Sequence, residues 1–171
     1  MPTRTHLAET ARAEALKCFH GDVMTASSNL DSVISPFPGW SLREADGLWC
    51  AAFVYYCCQK AGFLFPIRPI AGLSSNLAGC LAWEEWAQQD SRLEYHPADE
   101  PSFQPEAGDI VLFDHVFVPT GHDHIGIVLE RGSDFLLTAE GNVNNLSALL
   151  TRKRDHHIRA YIRIPNHFSY N

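Results

Sequence analysis

No stretch of the 171-residue sequence stays apolar for the roughly eighteen residues that a membrane helix needs, so we expect no membrane span. Residues 1–20 also contain no uninterrupted apolar core of the kind found in a secretory signal, because charged residues such as Arg12 and Glu14 interrupt them. We therefore expect synthesis in the cytoplasm without a cleavable signal peptide. The final site of action stays open, and export by another route is one alternative.

Basic residues are scarce. The chain has 13 Lys and Arg against 20 Asp and Glu, for a net charge of -7. Nucleic-acid binding needs a basic face, so this balance argues against a nucleic-acid partner. The one basic cluster, residues 152–154, is interpreted as a solvated loop.

The five cysteines are odd in number and fit neither a disulfide framework nor a paired CxxC zinc pattern. We expect a reducing compartment with at least one free thiol. Cys57 and Cys58 fall in a strongly apolar segment and are predicted to be core residues. We expect no cofactor.

The length fits one domain over residues 1–171, with the motifs between about 45 and 165. Apolar periodicity predicts helices over 5–19, 48–61 and 76–89. The second helix is predicted to be buried and to end at Gly62, and the third to have Ser74 or Ser75 near its start. Short Val-, Ile-, Leu- and Phe-rich segments predict strands over 109–115, 124–130, 134–140 and 157–164. Helices first and strands later predict an α+β domain, in which the early helices cover an antiparallel sheet.

Cys50 stands at the predicted start of the buried helix. A helix N-terminus carries partial positive charge and unpaired N–H groups, which favour a thiolate and can receive an oxyanion. The alternative is that Cys50 is a small buried hydrophobic residue.

His124 begins the first strand of a predicted hairpin. If Arg131, Gly132 and Ser133 form its loop, His124 lies directly opposite Glu140, which can then orient the imidazole. A two-residue loop would place Glu140 on the other face. Asn142 is a second candidate for orienting the His124 ring. The alternative to a catalytic His124 is an ordinary histidine at the end of a strand.

Four short runs together resemble one family. Residues 49–54 (WCAAFV), 105–111 (PEAGDIV), 124–128 (HIGIV) and 140–142 (EGN) are similar to the CHAP amidase/peptidase family, within the NlpC/P60 group of papain-like cysteine hydrolases. The resemblance implies a papain-like fold with the nucleophile at the N-terminus of a central helix. It also implies cleavage of peptide or amide bonds, commonly in bacterial cell-wall peptidoglycan.

The same resemblance implies a role for each matched residue. Cys50 would be the nucleophile, His124 the general base and then acid, Glu140 the partner of the imidazole, and Asn142 a further polar member of the site. The stretch before Cys50 has no acidic calcium-binding loop of the kind some members carry, so we expect no metal. We also recognise no wall-binding module, so the substrate is either the wall, reached by an unusual route, or another molecule.

Three further residues are predicted to bind substrate: Trp49, Asp46 and His122. Core packing is the alternative for Trp49, and helix capping is the alternative for Asp46. His122 would line the cleft, and solvation is the alternative. A zinc site formed by His115, His122, Asp123 and His124, with Asp114 nearby, has no diagnostic spacing.

Two rival interpretations remain. The chain could be a catalytically silent binding module on the same frame, or a thiol hydrolase or acyltransferase acting on another amide or ester, as in deubiquitinase-like chemistry. Endopeptidase and amidase activity are not distinguished. A cognate inhibitor protein is a candidate partner.

Overall fold

The chain begins with helices and ends with strands. A computed structural model describes residues 1–45 and 47–170. The helices are α1 (Arg4–Ala15), α2 (Asp31–Ile34), α3 (Leu42–Ala45), α4 (Cys50–Lys60) and α5 (Cys80–Gln89). The strands are β1 (Gly21–Asp22), β2 (Ser27–Ser28), β3 (Glu94–Pro97), β4 (Ile110–Phe113), β5 (His124–Arg131), β6 (Phe135–Val143), β7 (Leu146–Lys153) and β8 (Ile158–Arg163). The α+β class expected from the sequence is confirmed.

Six strands form one antiparallel sheet in the order β3-β8-β4-β5-β6-β7, and β1 and β2 form a separate hairpin. Helices α1 and α4 pack on the sheet over β5 and β6, and α5 contacts β3. A smaller apolar cluster, which includes Val111, Val128 and Tyr161, is separate from the main core. The middle strands are therefore buried, and β4 has no exposed residue.

Helix α4 is apolar on nearly every side, and most of its residues are buried, as its composition predicts. It starts two residues later than expected, at Cys50, and ends at Lys60. Gly62 follows with φ 87, a conformation that favours glycine, and so provides the predicted stop. Because α4 packs against β5 and β6, its first residue lies beside the start of β5.

The ends of two other helices were predicted wrongly. Helix α1 was predicted to end at residue 19 but ends at Ala15. The chain turns just after the helix, where Cys18 has φ 54. Helix α5 starts at Cys80 with Gly79 as its N-cap, so neither Ser74 nor Ser75 caps it. The Ser74 N–H and hydroxyl instead bond to the Glu85 carboxylate, at 2.8 and 2.9 Å.

Strand β7 was not predicted, and the assignment of residues 152–154 to a solvated loop was wrong for Arg152 and Lys153, whereas Arg154 lies in the bend that follows. Arg152 and Lys153 belong to β7, which pairs with β6 over most of its length. The chain reverses between the two strands through Asn144 and Asn145, both at positive φ. Asparagine tolerates this conformation, so a very short turn suffices to return the chain.

The turn that leads into β4 is held by a buried carboxylate. Asp109 is fully buried, and its Oδ2 accepts from the Glu106 N–H at 2.8 Å. The Arg163 guanidinium donates to both Asp109 oxygens, at 2.9 and 2.7 Å. Gly108 has φ 88 and packs so closely on α1 that a Cβ would lie 2.2 Å from the Arg4 carbonyl oxygen. In the segment 105–111, which resembles the CHAP family, Asp109 and Gly108 therefore have a structural role in forming this turn.

In the part of the chain that the structure describes, we find no helix with the length and apolarity needed to cross a membrane.

Candidate active site

A cavity of about 820 Å³ opens where the first residues of α4, α5 and β5 come together. Cys50, Cys80 and His124 all line it. Its volume falls in the range of small-molecule and peptide sites, about 300–1,000 Å³. The topology thus brings two thiols and an imidazole from distant parts of the sequence to one concave surface.

Cys50 is the first residue of α4 and is 7% exposed. The first hydrogen bond of the helix runs from the Phe53 N–H to the Trp49 carbonyl at 3.0 Å, so the N–H groups of residues 50–52 have no partner within the helix. A hydrogen bond with Cys80 lowers the pKa of the Cys50 thiol, and the neighbouring His124 and the Ala51 N–H lower it further, outweighing burial. The site therefore favours the nucleophilic thiolate.

His124 begins β5 and is almost fully buried. Its Nε2 lies 2.6 Å from Glu140 Oε2, which leaves Nδ1 for Cys50. The Phe117 ring packs edge-on against the imidazole, with the centroids 4.8 Å apart. Burial lowers the pKa of His124, but hydrogen bonds with Cys50 and Glu140 outweigh it and raise the pKa to about 9. The imidazole is thus held in one orientation and favoured in its protonated form.

Glu140 is fully buried on β6 and is bound from three directions. Besides His124, it accepts from the Thr138 hydroxyl at 2.6 Å and from the Arg152 Nε and Nη2 at 2.9 and 2.6 Å. Burial raises the pKa of Glu140, but Arg152 and His124 lower it to about 2. A buried carboxylate needs such partners to stay charged.

The predicted hairpin register was wrong, although the predicted face was right. Near the site Ile127 pairs with Ala139 and Val128 with Thr138, and this register places Gly126, not His124, opposite Glu140. Next to the turn Arg131 pairs with Leu136, three positions beyond the partner expected for it, and a bulge at Leu129 shifts the pairing back by one residue. The net displacement is even, so His124 and Glu140 still share a face as diagonal neighbours.

Arg152 is a residue of the site that sequence reasoning missed. Its guanidinium forms a two-pronged contact with Glu140 and lies over the rings of Phe113 and Phe117, 5.5 and 5.6 Å from their centroids. The available signal was the short Leu-rich segment at 146–150, which predicts a strand but not its pairing with β6. In the observed pairing Arg152 lies opposite Leu136, on the same face of the sheet as Glu140.

The remaining predicted residues have different positions. Asn142 lines the cavity, but among the described contacts its side chain makes no hydrogen bond to His124, so of the two predicted partners of the imidazole it is Glu140 that binds the ring. His122 also lines the cavity and bonds through Nε2 to Glu84 of α5. Trp49 is fully buried and donates its indole N–H to Asn145 at 3.3 Å, behind the cavity wall. Asp46 lies outside the described residues.

The cavity walls combine neutral polar groups with apolar side chains. The polar part contains Ser74, Ser75, Asn76, Thr120, Asn142, Asn144 and Asn145. The apolar part includes Leu48, Phe117 and Val118, all substantially exposed. Amide and hydroxyl groups can pair with the N–H and C=O groups of an extended peptide, while the apolar side chains can hold aliphatic groups.

Metal-ligating atoms cluster elsewhere. Within residues 1–45 and 47–170, Asp155, His156 and His157 bring candidate ligand atoms within 4.8 Å of one another. None of the three lines the cavity of Cys50, and His157 already bonds to the Asp114 carbonyl at 3.0 Å. Among the described residues, His115, His122, Asp123 and His124 do not form such a cluster.

Comparison with known proteins identifies the family. The CHAP domain family matches residues 43–142, a span that includes Cys50, His124 and Glu140. No curated protein matches the chain. The α+β arrangement, with helices packed on a six-stranded antiparallel sheet, is compatible with the papain-like fold of this family. Because the match covers more than half of the 171 residues, the chain belongs to the CHAP domain family of amidases and peptidases.

Proposed function

We propose that the protein is a cysteine amidase or peptidase that uses Cys50, His124 and Glu140, and that its substrate is a peptide of bacterial cell-wall peptidoglycan. One observation carries the proposal: the thiol at the start of α4 and the Glu140-bound imidazole meet at a single cavity. A nucleophile, its base and an orienting group are the parts that such catalysis requires.

The first half of the reaction uses the thiolate. The Cys50 thiolate attacks the carbonyl carbon of the scissile amide, while protonated His124 stays beside it. The carbonyl oxygen becomes an oxyanion, and backbone N–H groups at the start of α4, which have no partner within the helix, are the candidate donors to it. Glu140 holds the imidazole in place and stabilises its positive charge.

In the second half His124 acts as acid and then as base. It gives its proton to the leaving amine nitrogen as the C–N bond breaks, which leaves a thioester on Cys50. It then takes a proton from water as the water attacks the thioester. The thioester C–S bond breaks, the product leaves as an acid, and the thiolate and the imidazolium are restored.

The cavity supports a peptide rather than a highly charged substrate. Its walls carry amides and hydroxyls, and among the described lining residues the charged side chains besides Cys50 and the histidines are Arg68 and Asp123. Wall peptides offer short alanine side chains and amide groups, which suit the apolar and polar walls, and free carboxylates, which Arg68 can bind. CHAP domains often act on peptidoglycan, which favours this substrate over other amides.

Purified peptidoglycan tests the proposal directly. We expect the wild-type protein to release fragments with new amino and carboxyl termini, identified by mass spectrometry, and Cys50→Ala to release none. Cys58→Ala is the matched control, because it removes a buried thiol of the same helix that does not line the cavity. Cleavage by Cys50→Ala at the wild-type rate would refute the mechanism.

The rival functions predict other results. A silent binding module would retain peptidoglycan without cutting it, and Cys50 would be alkylated as slowly as Cys57 and Cys58. A thiol hydrolase or acyltransferase with another substrate would show a fast-reacting Cys50 but leave peptidoglycan intact. The identity of the new termini separates an endopeptidase from an amidase.

The proposed substrate also sets an expectation for location and partners. Peptidoglycan lies outside the cytoplasm, so we propose that the protein acts at the wall after synthesis in the cytoplasm and that a cognate inhibitor protein protects the producing cell. Cell fractionation and co-purification from the native host, with Cys50→Ala as bait, test both expectations.

A further inference from the structure

A second thiol lies against the proposed nucleophile. Cys80 Sγ is 3.6 Å from Cys50 Sγ, and the two residues are 8% and 7% exposed. Each is the first residue of a helix, Cys50 of α4 and Cys80 of α5, and both line the cavity. Thirty positions separate them in the sequence, so only the tertiary fold creates the pair.

The surroundings of each sulfur decide which one donates the hydrogen bond. Cys50 is next to His124, a base that can take its proton, and next to the Ala51 N–H. Cys80 lines the same cavity as Asp123, whose carboxylate charge disfavours a second negative charge on Cys80. The hydrogen bond with Cys50, together with burial, raises the pKa of Cys80 well above its usual value. Cys80 is therefore the thiol and Cys50 the thiolate.

The other buried thiols differ from Cys80. Cys57 and Cys58 are fully buried in α4, and burial raises the pKa of both. Neither lines the cavity. They serve as small core residues, whereas Cys80 presents its sulfur to the proposed nucleophile.

We propose that Cys80 is a positioning residue: its S–H donates to the Cys50 thiolate, holds that sulfur at the cavity surface and stabilises its charge before substrate binds. The inference rests on the proposed function, because it takes Cys50 as the nucleophile. As the C–S bond forms, the negative charge moves to the carbonyl oxygen and the bond from Cys80 weakens. Cys80 therefore increases the thiolate population rather than acting on the substrate.

The pH dependence of Cys50 alkylation tests this role. Iodoacetamide reacts with the thiolate, and mass spectrometry of the Cys50 peptide separates it from the exposed Cys18. In Cys80→Ala we expect the midpoint to rise by about one pH unit, which is a tenfold loss of thiolate at pH values below the midpoint and lies near the lower end of the range for a hydrogen bond to a charged group. Cys80→Ser retains a donor and should keep the midpoint near that of the wild type. Cys57→Ala, which removes a buried thiol without changing the cavity, should leave it unchanged.

The proposal is overturned if Cys80→Ala keeps the wild-type midpoint, or if Cys80→Ser shifts it as far as Cys80→Ala does. Should Cys80→Ala fail to fold, Cys80→Thr and Cys80→Val give the same contrast, a hydroxyl donor against a methyl group of equal size. The experiment needs no hydrolysable substrate, so it separates the two proposals. A wild-type Cys50 that reacts only at the pH of an ordinary thiol counts against the proposed function, whereas an activated Cys50 that is insensitive to residue 80 removes only the role of Cys80.

Discussion

Glu140 reaches His124 diagonally across the β5–β6 pair, at 2.6 Å from Oε2 to Nε2, because the residue directly opposite it is Gly126. The Glu140 side chain passes over this glycine. A Cβ at position 126 would lie 2.8 Å from Glu140 Cγ and 3.3 Å from the Ala139 carbonyl oxygen. The glycine is therefore needed for space, which the carboxylate uses to reach the imidazole.

Gly126→Ala should displace the Glu140 carboxylate and leave His124 poorly oriented. A misplacement on the order of 1 Å can reduce catalysis about a hundredfold, and we expect a loss of this size in kcat/KM on peptidoglycan fragments. The pH midpoint of Cys50 alkylation should rise as well, because a poorly oriented His124 stabilises the thiolate less. Thermal unfolding is the control, since a variant that still melts cooperatively has an altered site rather than a lost fold. Wild-type kcat/KM in such a variant would contradict the argument.

Arg152→Ala should destabilise the protein strongly. Without its guanidinium, the fully buried Glu140 loses two charge-assisted hydrogen bonds, and breaking a buried ion pair costs about 3–5 kcal/mol. The pKa of Glu140 should then rise, because burial raises it and Arg152 opposes that effect. Urea unfolding measures the loss. Lys153→Ala is the matched control on the same strand, with an exposed side chain, and should change stability by less than about 0.5 kcal/mol.

Arg152→Lys tests whether the geometry of the contact matters. Lysine keeps the charge but not the two-pronged contact, so we expect stability between those of the wild type and Arg152→Ala. Equal stability of Arg152→Ala and Lys153→Ala would show that Glu140 does not depend on Arg152.

The sequence predicts the positions of Cys50 and His124 better than those of the residues around them. Local patterns place Cys50 near the start of an apolar helix and His124 at the start of a hairpin strand, because both elements are recognisable within about fifteen residues, but the roles expected of the two residues come from the resemblance to the CHAP family. His124 and Glu140 share a face of the sheet whenever the register shift is an even number of residues. The predicted face was therefore right although the predicted register was wrong. Arg152 and Cys80 could not be predicted in this way, since their roles arise from strand order and from the meeting of two helix starts.

Gly108→Ala should destabilise the turn before β4 through a steric clash with α1. A Cβ there would lie 2.2 Å from the Arg4 carbonyl oxygen, which is backbone and cannot move aside cheaply. Gly72→Ala is the matched control, because Gly72 has φ 87, close to the φ 88 of Gly108, but no atom within 4 Å of the added Cβ. The difference between the two variants isolates the clash, and we expect Gly108→Ala to lose about 1–3 kcal/mol more in urea unfolding. Equal losses would mean that α1 shifts to accommodate the methyl group.

The pH dependence of hydrolysis should follow the two shifted groups of the site. The hydrogen bond with Cys80 and the contact with His124 lower the pKa of Cys50 to about 5, and contacts with Cys50 and Glu140 raise that of His124 to about 9 against the effect of burial. The reactive pair needs Cys50 deprotonated and His124 protonated, so kcat/KM should be highest between these values. It should fall on the acid side as the thiolate gains a proton, and on the alkaline side as His124 loses the proton needed by the leaving amine. A pH profile of kcat/KM on peptidoglycan fragments measures both limbs, which belong to the coupled pair rather than to either residue alone. A rate that instead rises only near the pKa of a free thiol, about 8.5, would mean that Cys50 is not activated by this arrangement.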